Sequence, residues 1–243
     1  MTTVSTQNPV RTDLAATAAE VPDRHATHSR LWAVAGIGAA LAGAGTIITS
    51  SAVDIVYRDE FNGTTDGVAQ AVSDKSPVLF AFHSITALGA VLMIVFGAGL
   101  YRRLRTALPD SIAPVIALVG LAGTAVVSIL GSGLDTEFMM PGPQDEPGYA
   151  DSSAAVYNHW IGTIPWLWTL VGMAGLALFA ASRARAVPRW FGIVGLVLGG
   201  LTVALGISPL EYMAGTTGVL WLLVTALGFT VGDRTFRGAV RAG

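Results

Sequence analysis

The most constraining feature of this sequence is a stretch of about 25 residues, 157–181, whose only ionisable side chains are Tyr157 and His159. At about 1.5 Å of rise per residue, a helix of this length crosses the roughly 30 Å hydrocarbon layer of a membrane with some tilt. We therefore predict a transmembrane helix here. Its first half contains a histidine, an asparagine and three tryptophans, whereas its second half is nearly all Ala, Leu, Gly, Val and Phe. A functional site is expected near the polar half.

Five further apolar runs accompany this stretch, and together the six make up most of the chain. Hydrophobic residues account for 52% of the 243 positions and charged residues for 12%, with a mean hydropathy of +0.60. Because an ordinary soluble domain has roughly 25% charged residues, this composition is typical of a chain surrounded by lipid. We predict an all-α fold, a polytopic membrane bundle of six transmembrane helices at residues 31–53, 77–101, 111–134, 155–181, 190–207 and 212–231.

The remaining segments are polar connections and tails. Residues 1–29 are rich in Thr and Ala and lack an apolar period, so a disordered cytoplasmic tail is predicted there. Residues 30–232 are assigned to the transmembrane domain and residues 233–243 to a basic cytoplasmic tail. The sequence contains no cysteine, which excludes disulfides, thiolate metal sites and cysteine nucleophiles.

Charge differs between alternate connections, and this difference predicts orientation. Arginines adjoin the start of the first span and follow the second, fourth and sixth spans, as Arg24, Arg30, Arg102, Arg103, Arg105, Arg183, Arg185, Arg189, Arg234, Arg237 and Arg241. The other connections are acidic, with only Arg58 and Lys75 as basic residues. Because arginine-rich segments stay in the cytoplasm, we expect a multi-pass protein of the cytoplasmic (plasma) membrane with both termini cytoplasmic.

The same reasoning limits the partners. The lipid bilayer is the principal expected partner, and a homo-oligomer or another membrane protein is left open. The net charge of −2 provides no basic field for nucleic acid, so nucleic-acid binding is excluded.

Three local features modify the regular helices. Pro165 lies inside the fourth span, where its missing N–H and its clash with the preceding turn predict a bend. The short connection at Ser208 and Pro209 predicts that the fifth and sixth spans form a tight hairpin. Gly195 and Gly199 form a pair of small residues, four positions apart, of the kind that permits close approach of membrane helices.

Two of the four histidines, His83 and His159, fall within predicted spans. His83 is the seventh residue of the second span and His159 about the fifth of the fourth, and both spans run from the outer side inward. Both imidazoles are therefore expected in the outer leaflet. Ionisable groups in a membrane are costly and tend to face the bundle interior or a wet cavity, which makes this pair the candidate cofactor-binding site.

Three interpretations of the histidines remain open. In the first, each imidazole hydrogen-bonds a neighbouring helix or interfacial water and serves packing alone. In the second, His83 and His159 join carboxylates at the outer rim in a proton site or a site for zinc or another divalent metal. In the third, the two histidines hold haem b between the second and fourth spans. The rim carboxylates considered are Asp135, Glu137, Asp54 and Glu211.

The segment 131–160 is the most distinctive outer feature. It combines five acids with three prolines and the adjacent Met139 and Met140. Two interpretations stay open, a binding loop that attracts a cation above the histidines and a solvated loop. No phosphate-binding glycine motif in a strand–helix setting, G-x-S-x-G elbow or H-E-x-x-H pair occurs in the sequence, so no enzyme activity is predicted.

Four short segments carry a resemblance to known sequences. They are GLDTEF at 133–138, YNHWIGTIPWLW at 157–168, PRW at 188–190 and SPLEYMAG at 208–215. With these segments and its six spans, the chain resembles actinobacterial six-span integral membrane proteins of unknown function over roughly residues 30–231. The resemblance implies an inner-membrane location and six helices, and it carries no catalytic residue across.

Two functions follow as expectations. The first is a small accessory or transport-related membrane protein with an outer-leaflet pocket bounded by the second and fourth spans. The alternative is a haem- or metal-binding membrane oxidoreductase that uses His83 and His159.

Overall fold

The structure is a computed structural model that describes residues 30–140 and 146–231. Both predicted tails, 1–29 and 233–243, lie outside the described residues. The regular structure in the described ranges is entirely helical, and six helical segments are long and apolar enough to cross a membrane. The predicted all-α fold with six spanning helices is confirmed.

Ten α-helices occur in the described part of the chain. They are α1 Leu31–Ala52, α2 Val68–Ser73, α3 Ser76–Ala107, α4 Ala113–Gly131, α5 Asp135–Met139, α6 Asp151–Thr163, α7 Thr169–Arg183, α8 Arg189–Val194, α9 Gly200–Gly206 and α10 Met213–Val231. A 3₁₀ turn, Ile164–Trp166, joins α6 to α7, and a π-helical segment, Gly195–Gly199, joins α8 to α9. The six candidate spans are α1, α3, α4 with α5, α6 with α7, α8 with α9, and α10.

The second span is longer than predicted. Helix α3 continues to Ala107, so Arg102, Arg103 and Arg105 lie on its last turns and not in the connection that follows. Leu100 and Leu104 are fully buried, and they continue the apolar face of the helix past the point where charged residues begin. The helix therefore ends close to Pro109, where the backbone can no longer remain helical.

The predicted bend at Pro165 is present as a break between two helices. The 3₁₀ turn at Ile164–Trp166 separates α6 from α7 within the fourth span. The carbonyl of Pro165 accepts a hydrogen bond of 2.9 Å from the indole Nε1 of Trp168. This bond satisfies one of the backbone groups that the broken helix leaves without a partner, as lipid surroundings require.

The spanning helices pack against one another in a closed ring. Helix α1 contacts α3 and α10, α3 contacts α4, α4 contacts α7, and α7 contacts the α8–α9 helix, which returns to α10. The predicted hairpin of the fifth and sixth spans forms the last of these contacts. Buried side chains from every spanning helix meet inside the ring in one apolar core, which includes Phe96, Leu121, Trp168, Phe191 and Trp221.

Glycines bring α7 and the α8–α9 helix into backbone contact. A Cβ atom placed on Gly195 would lie 2.3 Å from the carbonyl oxygen of Gly175, and one on Gly199 would lie 2.8 Å from the Cα of Gly175. A Cβ atom placed on Gly172 would lie 2.6 Å from the carbonyl oxygen of Gly199. The small residues noted in the sequence thus meet further glycines across the interface, which is the packing expected between helices without a hydrophobic driving force.

The two ends of the bundle differ in chemistry. At one end Trp32 of α1 packs on Gly99 of α3, Arg30 hydrogen-bonds the carbonyl of Thr230, and Arg103 donates to the carbonyl of Ala186 at 3.1 Å. We call this the arginine end, since it holds Arg30, Arg102, Arg103, Arg105, Arg183, Arg185 and Arg189.

The opposite end is covered by residues 53–75 and α5, which we call the crown. Its apolar side chains form a second core with the first turns of α3 and with α6. That core contains Val53, Ile55, Val68, Val72, Leu79, Phe82, Phe138, Ala154, Tyr157 and Ile161. The crown is therefore a packed layer, where the sequence predicted only connecting loops.

Replacing Gly195 by Ala tests the backbone contact between α7 and α8–α9. We expect Gly195→Ala to lower the free energy of unfolding by about 1–3 kcal/mol, because the new methyl group would collide with the Gly175 carbonyl. Gly200→Ala is the matched control, since its Cβ would meet only a side-chain atom of Leu176 at 3.8 Å. Thermal unfolding in lipid nanodiscs measures both, and equal stability of the two variants would contradict the packing described here.

Candidate functional site

A buried carboxylate with two side-chain partners lies where α5 of the crown meets α3 and α6. Asp135 has no exposed surface, and its Oδ1 accepts a hydrogen bond of 2.8 Å from the hydroxyl of Tyr157. Its Oδ2 lies 3.1 Å from Nδ1 of His83. We call Asp135, His83 and Tyr157 the Asp135 site.

Three elements place these side chains together. Asp135 begins α5 after a three-residue connection from the end of α4 at Gly131, and its backbone N–H donates to the carbonyl of Ser132 at 3.2 Å. Trp160 of α6 donates to the carbonyl of Gly131 at 3.0 Å, which holds the end of α4 against α6. Phe138 of α5 then stacks on Tyr157, with ring centroids 4.0 Å apart and planes 3° from parallel. The short α5 is thereby fixed on α6 with its aspartate turned toward the phenol.

Exposure differs sharply within the Asp135 site. The side chain of His83 is 34% exposed, whereas Asp135 and Tyr157 have 0% and 1% of their surface exposed. The imidazole therefore connects the buried carboxylate to the surface of the bundle. Its Nδ1 faces Asp135, so the other ring nitrogen is the atom available for exchange with the surroundings.

The two hydrogen bonds have an electrostatic reason. An ionised carboxylate in apolar surroundings is costly unless donors or a positive charge compensate it. Tyr157 supplies a neutral donor, and His83 supplies either a neutral N–H or, when protonated, a full positive charge. The arrangement can therefore accept a proton at the imidazole and pass it to the carboxylate without leaving either group unpartnered.

His159 belongs to a different contact. Its Nδ1 lies 3.1 Å from the hydroxyl of Tyr57, and the two rings meet edge to face with centroids 5.2 Å apart. Partial burial, and then the nearby Tyr212 and Asp54, raise the pKa of Tyr57. The phenol consequently keeps its proton at neutral pH and can donate it to a neutral imidazole.

The predicted ligands are only partly brought together. The structure joins His83 with Asp135, whereas His159 lies about 160° from Tyr157 around α6, because a helix turns about 100° per residue. Glu137 is exposed on the surface of α5. Among the described residues no three His, Cys, Asp or Glu side chains gather in a group suited to a metal. A metal or haem shared by His83 and His159 stays a prediction.

Sequence reasoning assigned no role to Asn158, which anchors the crown. Its buried Oδ1 accepts hydrogen bonds from the backbone N–H groups of Ile55 at 3.0 Å and Val56 at 3.1 Å. Its Nδ2 donates to the carbonyl of Val53. One amide thus satisfies three backbone groups at the point where α1 ends. The signal in the sequence was an uncharged amide inside an apolar span.

Further polar contacts fasten the same end. Ser50 donates to the carbonyl of Ile161 at 2.6 Å and accepts from the indole of Trp166 at 3.3 Å. Asp151, at the start of α6, accepts from the backbone N–H of Ala69 in α2 at 2.7 Å. Helix α6 therefore hydrogen-bonds to residues near the start of segment 53–75 of the crown, through Asn158, and to its helix α2, through Asp151.

Removal of the Asn158 amide should loosen the crown. We expect Asn158→Ala to lower the free energy of unfolding by about 1–3 kcal/mol, because two buried backbone groups and one half-buried group lose their partner. Hydrogen–deuterium exchange should accelerate at the amides of Ile55 and Val56, which Asn158 now protects. Asn62→Ala, which changes an exposed amide in the same segment, is the control. Unchanged exchange at both amides in Asn158→Ala would contradict this anchoring role.

Comparison with known proteins does not identify this site. No protein-family model, no curated protein and no solved structure matches the chain. The function is therefore inferred from the geometry of the described residues.

Proposed function

We propose that this chain is a six-span integral membrane protein of the cytoplasmic membrane whose Asp135 site binds and releases protons in a transport-related or accessory role. The single observation that carries this proposal is the buried Asp135 carboxylate, hydrogen-bonded to Tyr157 and to an imidazole that reaches the surface. Ionisable groups within membrane segments commonly mark ion or proton pathways.

Orientation is part of the same proposal. Apart from Arg58, the described arginines lie at one end of the bundle, and the crown, which contains Arg58 and Lys75, covers the other. Because basic residues beside spanning helices stay in the cytoplasm, the arginine end faces the cytoplasm and the crown faces outward. Both termini are then cytoplasmic, and the Asp135 site opens toward the outer leaflet through His83.

The proton step follows from the hydrogen bonds. A proton that arrives at Nε2 of His83 gives an imidazolium, whose Nδ1 proton then moves to Oδ2 of Asp135. The imidazole returns to its neutral form, and the carboxylate becomes a neutral acid. Tyr157 keeps its bond to Oδ1 throughout, which holds the acid in place while its charge changes.

The charge of the Asp135 carboxylate also affects how α5 packs against its neighbours. Asp135 lies between α3, which carries His83, and α6, which carries Tyr157. Protonation converts a charge-assisted contact into weaker neutral hydrogen bonds. The contact that holds α5 against α3 is therefore expected to be weaker when the site holds a proton.

Infrared difference spectroscopy between low and high pH, on protein in nanodiscs, tests proton binding. We expect the C=O band of a protonated, hydrogen-bonded carboxylic acid, absent from Asp135→Asn and retained in the exposed control Asp54→Asn. Tyr157→Phe should shift the band, because the acid loses the phenol as hydrogen-bond partner. A carboxyl band that persists unchanged in Asp135→Asn would contradict the proposed site.

The transport-related role has a separate test. Proteoliposomes that enclose a pH-sensitive dye and face an imposed pH gradient should equilibrate faster with the unmodified chain than with Asp135→Asn. Equal rates would contradict the transport role. If the infrared spectra still contain the Asp135 band, the site binds protons but does not move them across the membrane.

A further inference from the structure

We propose that the arginine end binds the phosphate group of an anionic phospholipid in a cavity between α7 and α8. The cavity has a volume of about 510 Å³, and three arginines line it, Arg183, Arg185 and Arg189. Phe179, Ser182 and Ile193 also line the cavity. This site is separate from the Asp135 site, which lies at the opposite end.

The charge of the cavity is not balanced within the described structure. The side-chain ion pairs formed among the described residues, 30–140 and 146–231, join Arg58 to Glu60 and His83 to Asp135. Both pairs lie away from this cavity. Three guanidinium groups around one opening create a strong positive potential. Guanidinium is planar and donates paired hydrogen bonds that match phosphate oxygens, so the expected ligand is a phosphate-bearing anion.

The backbone at Arg185 provides a second, independent observation. The N–H of Ala186 bonds the carbonyl of Ala181 at 3.0 Å, and the N–H of Arg185 bonds that of Ser182 at 3.1 Å. This is a Schellman motif, and Arg185 occupies its left-handed position with φ of 59°. Glycine is the residue that this position favours, so an arginine here sacrifices stability while directing a third guanidinium to the cavity.

The surface beside the cavity favours a lipid over a free phosphate. Ile193 lines the cavity and is 64% exposed, and Val197, one helical turn further along the same face, is 57% exposed. An acyl chain can lie along this apolar face while its headgroup meets the arginines. Basic pockets between helices at the cytoplasmic side of membrane proteins suit anionic lipid headgroups in this manner.

Native mass spectrometry of the full chain with phosphatidylglycerol or phosphatidylcholine tests the proposal. We expect Arg183→Gln/Arg189→Gln to weaken retention of phosphatidylglycerol about tenfold or more, since charge-assisted hydrogen bonds are lost. Retention of phosphatidylcholine should not change. Arg102→Gln/Arg105→Gln removes the same charge from exposed arginines at the same end, outside the cavity, and should retain phosphatidylglycerol as the unmodified chain does.

Arg185→Gly separates binding from folding. The substitution relieves the left-handed conformation, so the melting temperature should rise while phosphatidylglycerol retention falls. Added inorganic phosphate should not displace the lipid. Equal retention by the Arg183→Gln/Arg189→Gln and Arg102→Gln/Arg105→Gln variants would overturn the cavity as the site, and displacement by inorganic phosphate would overturn a lipid as the ligand.

Discussion

The lack of water along the middle of six apolar helices determines where polar chemistry can lie in this protein. Lipid offers no hydrogen bonds, so polar groups are stabilised where they pair inside the bundle or lie at its ends; among the described residues, Trp221 Nε1 and Thr225 Oγ1 are buried without a partner. The central core is built from residues such as Phe96, Leu121 and Trp221, and glycines close the α7 interface. The polar side chains with a proposed role lie in the Asp135 site at the crown end and in the arginine cavity at the other end.

Helix α6 holds the crown end together. Its side chains from Asp151 to Trp160 reach α2, α4, α5 and the segment after α1, each through a hydrogen bond to a named group. Because these partners are buried backbone groups or a buried carboxylate, each bond prevents a desolvation penalty as well as adding attraction. The break at Pro165 allows this polar helix to adopt its own direction, while α7 continues the span with an apolar face.

The sequence predicted the features that depend on length and composition. Six spans, the break at Pro165 and the hairpin around Ser208 follow from apolar runs and from proline chemistry, and each is present. The pairing within the site was not predictable to the same degree. His83 and Asp135 were both candidates, but their contact depends on how α5 folds back on α6 through Phe138 and Tyr157. His159 faces elsewhere because two residues along the helix place it about 160° around α6 from Tyr157, close to the opposite side.

Other elements had no sequence signal strong enough to find them. Helix α2 and the crown core arise from long-range packing of Val68 and Val72 against α3 and α6, which apolar spacing in a polar loop does not reveal. The left-handed Arg185 is likewise invisible, because the sequence pattern for that turn is a glycine. Long-range packing overrides local preference in the first case, and in the second the helix end adopts a conformation that arginine itself disfavours.

The central claim is that these two polar sites lie on opposite faces of a membrane, with the crown outside. Since the chain has no cysteine, single substitutions Thr64→Cys in the crown and Ala184→Cys at the arginine end report each face without background from the protein itself. Intact cells treated with a membrane-impermeant maleimide should label the first variant, and should label the second only after the membrane is opened. Labelling of both variants from outside, or of Ala184→Cys alone, would contradict the account.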